Sequence, residues 1–130
     1  MIVVDASAAI EWLLRTQKGS VIEARMFAEG QSLNAPHLID IEVTQVLRRY
    51  VRERALTEAR AQERLQSLLD LYILRHRYTF LLRRAWQLRH HLTIYDAVYV
   101  ALAEALDAPL LTCDAKIAAV PGHHAIVEVV

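Results

Sequence analysis

The chain opens "MIVVDASAAIEWLLR", and this junction constrains its fold more than any other feature. Ile2, Val3 and Val4 form a short β-branched run without polar alternation, the pattern of a central strand buried on both faces of a parallel sheet. Asp5 ends the run. Ala8, Ile10, Trp12, Leu13 and Leu14 then supply the apolar faces of a helix over 6–15.

The same alternation continues along the chain. Strands are predicted at 32–36, where Pro36 stops the run, at 71–75, at 110–113 and at 125–130. Helices are predicted at Ser20–Ala28, capped by Ser20 with Glu23 three residues on, and at 37–54. Others are predicted at 57–71 with Thr57 as cap, at 79–92 with Phe80, Leu81, Ala85 and Leu88 on one side, and at 93–106. Strands alternating with helices argue for a parallel sheet covered on both faces. Only three glycines and three prolines occur, so the loops must be short. No repeat, linker or low-complexity tract interrupts the pattern, and 130 residues suit one domain spanning 1–130.

The hydrophobic fraction of 55% promises a sizeable core. No apolar run approaches the roughly 20 residues of a membrane-spanning helix, and no basic segment precedes the first apolar run as in a signal peptide. A single cysteine excludes an internal disulfide and suits a reducing cytoplasm. The net charge is zero but unevenly spread: Arg48 to His91 holds eleven arginines against four acids, and the rest of the chain reverses that balance. Either these are solvated helix faces, or they form a basic surface facing an anionic polymer.

Four acids have one possible common address. In open α/β sheets functional groups gather beyond the carboxyl ends of the strands. Asp5 follows the first strand and Asp114 follows "LLTC". Asp96 falls in the first turn of its helix, and Glu42 falls about two turns into the helix after Pro36. Each has a plainer explanation. Asp5 and Asp114 suit helix caps, Asp96 completes T-x-x-D with Thr93, and Glu42 suits a solvated helix face. If they converge, their mutual repulsion needs compensation, and a hard divalent cation such as Mg²⁺ or Mn²⁺ supplies it. Zinc is not indicated: His90 and His91 are adjacent, and Cys113 has no partner.

The stretches "VVDASAAIEWLL", "NAPHLIDIEVTQVLRR" and "TIYDAVYVALAEALDAPLLTCD", with Lys116 after them, resemble PIN-domain ribonucleases. They are most similar to the VapC toxins of VapBC toxin–antitoxin pairs. The likeness runs over essentially the whole chain, in family order. It implies a three-layer α/β/α PIN-like domain with a central, mostly parallel sheet of about five strands. It also implies an endoribonuclease in which Asp5, Glu42, Asp96 and Asp114 bind Mg²⁺ or Mn²⁺ and position the water that cleaves RNA, with Asp114 the least critical. Ser7 and Thr112 match positions that usually support these acids, and equally suit helix-cap or strand residues. The expected partners are a VapB-type antitoxin, the RNA substrate and a second copy of the chain.

The remaining polar and aromatic residues read more simply. Lys116, Arg48, Arg49 and Arg52 are candidate RNA phosphate contacts or solvated helix residues. Asp40, about 200° around the helix from Glu42, cannot share its pocket. Asp107 before Ala-Pro suits a turn, Glu11 suits solvent in preference to the pocket mouth, and Cys113 suits a small buried strand position. Trp12 and Trp86 suit core or interface. A catalytically silent PIN-like module that binds RNA or acts as a scaffold is the alternative function. An aspartyl phosphatase is disfavoured because "DAS" lacks the second acid of D-x-D.

Overall fold

The computed structural model describes residues 1–130. Five strands, β1 (Ile2–Val4), β2 (Leu33–Pro36), β3 (Leu74–His76), β4 (Leu110–Thr112) and β5 (Val127–Val129), form one sheet in the order β3-β2-β1-β4-β5. All four pairings are parallel. Every residue of β1, β2 and β4 is buried, whereas β3 and β5 at the edges are partly exposed. This burial explains why the central strands read as unbroken apolar runs.

Seven α-helices flank the sheet: α1 (Ala6–Leu13), α2 (Gln17–Met26), α3 (Leu38–Arg52), α4 (Glu58–Asp70), α5 (Leu82–Gln87), α6 (Ile94–Leu106) and α7 (Ala115–Ala119). Helices α1 to α4 pack among themselves, α5 packs on α6, and α6 lies against β1, β2 and β4. Helix α6 buries a continuous stretch from Ala97 to Ala103, so its apolar residues run all round and fix it as the central helix. Thr93 caps its start, and Asp107, at φ 49°, ends it in a left-handed turn before Pro109, as the sequence suggests.

Local capping departs from the sequence reading in one place. Helix α2 begins at Gln17, because the Thr16 hydroxyl accepts from the Gly19 N–H at 3.0 Å. Ser20 therefore lies inside the helix and donates to the Gln17 carbonyl at 2.8 Å. The expected helix over 79–92 is shorter. Thr79–Leu81 is a 3₁₀ turn, α5 stops at Gln87, and Phe80 points outward while Leu81, Ala85 and Leu88 are buried. The third strand lies a few residues later than expected, at Leu74–His76.

Two features tighten the frame, one within the sheet and one between helices. Asn34 is buried in β2, and its amide nitrogen donates to the Ile2 and Ser32 carbonyls while its oxygen pairs with His76 Nε2 at 2.9 Å. Gly19 lets α2 press onto the end of α1: a Cβ there would overlap the Glu11 carbonyl oxygen and stand 2.9 Å from its carbon. Gly19→Ala is therefore expected to lower stability by roughly 1–3 kcal/mol through overpacking, despite alanine's better helix propensity. Urea denaturation of the two proteins measures it, and an unchanged or higher midpoint would contradict the close approach.

Candidate functional site

The order β3-β2-β1-β4-β5 places a topological switch between β1 and β4, from which the chain's crossovers run outward in opposite directions. Loops diverge there and leave a crevice at the strands' carboxyl ends. A cleft of about 660 Å³ opens at that point, lined among others by Asp5, Glu42, Asp96 and Asp114. The structure thus brings together all four acids singled out from the sequence.

Different elements deliver them. Asp5 leaves β1 and caps α1, and Asp114 leaves β4 and caps α7, accepting from the Lys116 N–H at 2.9 Å. Asp96 lies in the first turn of α6, beyond the Thr93 cap. Glu42 lies in the second turn of α3. Capping and cleft-lining therefore coexist at Asp5 and Asp114, and neither explanation displaces the other.

Asp5 is the most constrained of the four, at 5% exposure. Its Oδ1 accepts from the Ser7 hydroxyl at 2.6 Å and the Ala8 N–H at 3.0 Å, and its Oδ2 accepts from the Thr112 hydroxyl at 2.5 Å. Ser7 and Thr112 in turn accept from the Cys113 N–H at 2.9 Å and the Asp114 N–H at 3.0 Å. A carboxylate only accepts, so both hydroxyls must point their protons at it. Their lone pairs are then free for the backbone. Ser7 and Thr112 thus support Asp5 while tying β1 to the loop after β4.

The acids feel one another. Burial pushes the Asp5 carboxyl above its ordinary range, against the pull of its three donors, and the Asp96 charge adds to the rise. Burial also raises Glu42, opposed by the Tyr99 hydroxyl and reinforced by Asp96 and Asp5. Asp96 is raised by burial and then by Asp114, with the Thr93 hydroxyl opposing. Burial combined with like charge is the environment that a cation would relieve. The donor set is all carboxylate, which suits a hard divalent ion. Glu42 Oε1 is buried without a hydrogen-bond partner, so its lone pairs are uncommitted. The four carboxylates line the cleft without converging on one point: no group of three acidic, histidine or cysteine residues has a geometry that could hold a metal ion.

Other residues fall on either side of the expectations. Arg49 lines the cleft, with its guanidinium over the Tyr50 ring at 5.4 Å. It is seven residues from Glu42, two helical turns along the same face. Arg48 and Arg52 line a separate depression between α3 and α4, and Lys116 is exposed outside the cleft lining. These three are not gathered with the acids. Of the two places open to Glu11, the structure takes the cleft rather than the favoured solvent: it is half-buried there, and its carboxylate accepts from the Thr16 hydroxyl. Cys113 sits just after β4, half-buried at the cleft, with its thiol pushed up by burial and the Asp5 and Glu11 charges. That shift disfavours a nucleophilic thiolate.

Asp40 pairs with Arg75 at 2.8 Å away from the cleft, as its helical angle requires. Trp12 packs its ring 5.8 Å from Phe27, and Trp86 is exposed beneath the Arg89 guanidinium at 4.5 Å. Tyr99, three residues after Asp96, also lines the cleft, although its apolar neighbours make it read as core.

Fold and cleft together define an α/β protein whose polar groups converge at the switch point of a parallel sheet. The PIN domain family model matches residues 2–123. Ribonuclease VapC1 of Mycobacterium tuberculosis is 44% identical over 123 residues, covering 92% of this chain and 90% of that protein. Ribonuclease VapC12 of the same organism is 38% identical over 130 residues, covering 100% of this chain and 99% of that protein. In fold, the chain resembles the VapBC2 structure of Rickettsia felis bound to a promoter DNA fragment, with a TM-score of 0.72, 14% identity and 98% coverage of each chain. The chain belongs to the PIN-domain family, among its VapC members.

Two predictions follow from the geometry. Thr112→Val removes the donor to Asp5 and the acceptor for the Asp114 N–H, so it is expected to cost roughly 1–3 kcal/mol in denaturant unfolding. Raised carboxyl pKa values mean that the folded state binds more protons than the unfolded chain between about pH 4 and the raised values. Stability from these groups is present below that window and is lost as pH rises through it. The double variant Glu42→Gln, Asp96→Asn should therefore melt above wild type at pH 7, with a smaller advantage at pH 4. Thermal melts across this range check the sign, and an advantage that grows on acidification would reverse it.

Proposed function

We propose that this protein is a metal-dependent endoribonuclease, a hydrolase acting as the toxin of a toxin–antitoxin pair. The observation that carries the reading is the convergence of Asp5, Glu42, Asp96 and Asp114 on one cleft. VapC1 and VapC12 are named ribonucleases, which supports RNA as the substrate class. Asp5, Glu42, Asp96 and Asp114 would hold Mg²⁺ or Mn²⁺. When bound, such an ion lowers the pKa of a water and stabilises charge building on a phosphodiester.

The chain's own residues do the positioning. Asp5 is held by three donors, so its carboxylate presents a fixed orientation to the cleft. Glu42, Asp96 and Asp114 come from separate elements and enter from other sides. Arg49 is the one cation lining the cleft, and we assign it to an RNA phosphate. Arg48, Arg52 and Lys116 would contact RNA only as it runs across the neighbouring surface.

The 130 residues would act as a single PIN domain. Ile41 and Tyr95, 70% and 62% exposed at the cleft, suit cover by a VapB-type antitoxin segment. The chain is also similar in fold to a toxin–antitoxin complex from Klebsiella pneumoniae, with a TM-score of 0.65, 17% identity and coverage of 98% of this chain and 96% of that one. This likeness, with that to Rickettsia felis VapBC2, supports that partner. Tyr72, Leu74, Tyr78, Phe80, Leu82 and Trp86 expose apolar surface around β3 and α5, which suits a homodimer contact. No helix is long and apolar enough to cross a membrane, which is compatible with action in the cytoplasm.

Asp5→Asn and Asp96→Asn should each lower RNA cleavage on the order of 100-fold or more, and relieve growth inhibition on expression, while the protein stays folded. Chelation by EDTA should abolish wild-type cleavage, and added Mg²⁺ or Mn²⁺ should restore it. A variant cutting RNA as wild type does, with contamination excluded, would overturn the assignment of that acid. A wild-type protein that neither binds millimolar Mg²⁺ or Mn²⁺ nor cuts RNA would instead be a silent RNA-binding or scaffold module.

A further inference from the structure

Tyr99 is 1% exposed, and its hydroxyl is buried without a hydrogen-bond partner. Glu42 Oε1 is the other orphaned polar atom among the residues lining the cleft. The two come from different helices, Tyr99 from α6 and Glu42 from α3, and both line this one cleft, where each perturbs the other's ionisation. A buried phenol ordinarily finds an acceptor, and a carboxylate has only acceptors to offer. Their chemistry therefore fixes the direction of any bond between them. Tyr99 also follows Asp96 by three residues, so one face of α6 aims both side chains at the cleft. A phenylalanine would fill the same core volume, so the hydroxyl has no packing role.

We propose that Tyr99 is a positioning residue for the acidic cleft, its hydroxyl donating to Glu42 Oε1 and so orienting that carboxylate toward a bound divalent cation. The inference rests on the metal-dependent reading above. Partners that orient a metal's ligands typically cost 10–100-fold in affinity when removed. Loss of the hydroxyl therefore acts on metal binding first and on cleavage through it.

The test is calorimetric titration of Mn²⁺ into wild type, Tyr99→Phe, Glu42→Gln and the double variant, without RNA. Tyr99→Phe should keep the wild-type fold and weaken Mn²⁺ binding about 10-fold. Glu42→Gln with Tyr99→Phe should bind no more weakly than Glu42→Gln alone, because the hydroxyl acts through that carboxylate. RNA cleavage by Tyr99→Phe should recover as Mn²⁺ is raised, with KM for RNA unchanged. Equal Mn²⁺ affinity in wild type and Tyr99→Phe, or additive losses in the double variant, would overturn the positioning role and leave the metal reading intact. Wild type without Mn²⁺ binding would overturn both.

Discussion

The Asp5 carboxylate is the constraint on which the rest of this molecule depends. It sits where the first and fourth strands part, and three donors from both sides of that gap converge on it. Because each hydroxyl donor also accepts a backbone N–H from the 113–114 turn, the network has one direction from end to end. An asparagine in its place would bring an NH₂ group against a hydroxyl that already presents a proton, and part of that order would have to reverse. The same atoms therefore cap α1, join β1 to β4 and aim a carboxylate at the cleft.

This arrangement sets folding against the proposed function. Burial and neighbouring charge both raise the carboxyls, so gathering them opposes the folded state. The opposition is borne by a core of 32 buried hydrophobic residues that includes the middle of α6 and the central strands. Asp96 rides on the first turn of a helix whose next seven residues, Ala97 to Ala103, are all buried. It has little freedom to retreat from its neighbours. A rigid frame of this kind can hold repelling groups together without a compensating charge.

Much of this was legible in the sequence because local patterns and global topology agree. The β-branched run before Asp5, the apolar run before Asp114 and the Thr93 cap before Asp96 each place an acid at the end of an element. A parallel sheet then does the gathering. What escaped depends on finer angles. Thr16 and Ser20 both make acceptable caps, and the choice turned on how closely Gly19 lets α2 approach α1. Arg48 and Arg49 are adjacent, yet about 100° of helical rotation sends one to the α3–α4 surface and the other to the cleft. The angle was readable, but it needed Glu42 as a reference. Tyr99 gave no signal, because an aromatic among alanines, valines and leucines looks like filling until its hydroxyl is seen to lack a partner.

The charge layout bears on how an anionic polymer would approach. The cleft carries five acids once Glu11 is included, against the single guanidinium of Arg49. Phosphates entering it alone would meet net repulsion, little screened in a partly enclosed site. Attraction must come from outside the cleft, and the arginine-rich segment 48–91 is the part of the chain able to supply it. Arg48 and Arg52 lie one helical face away from Arg49, so α3 forms a bridge between the basic surface and the acidic crevice. Binding and reaction would thus be assigned to opposite charges, with α3 carrying Glu42 on one side and its arginines further along. A cation at the acids, as proposed, would reconcile the two, since it would convert the place that repels a phosphate most strongly into one that could hold it.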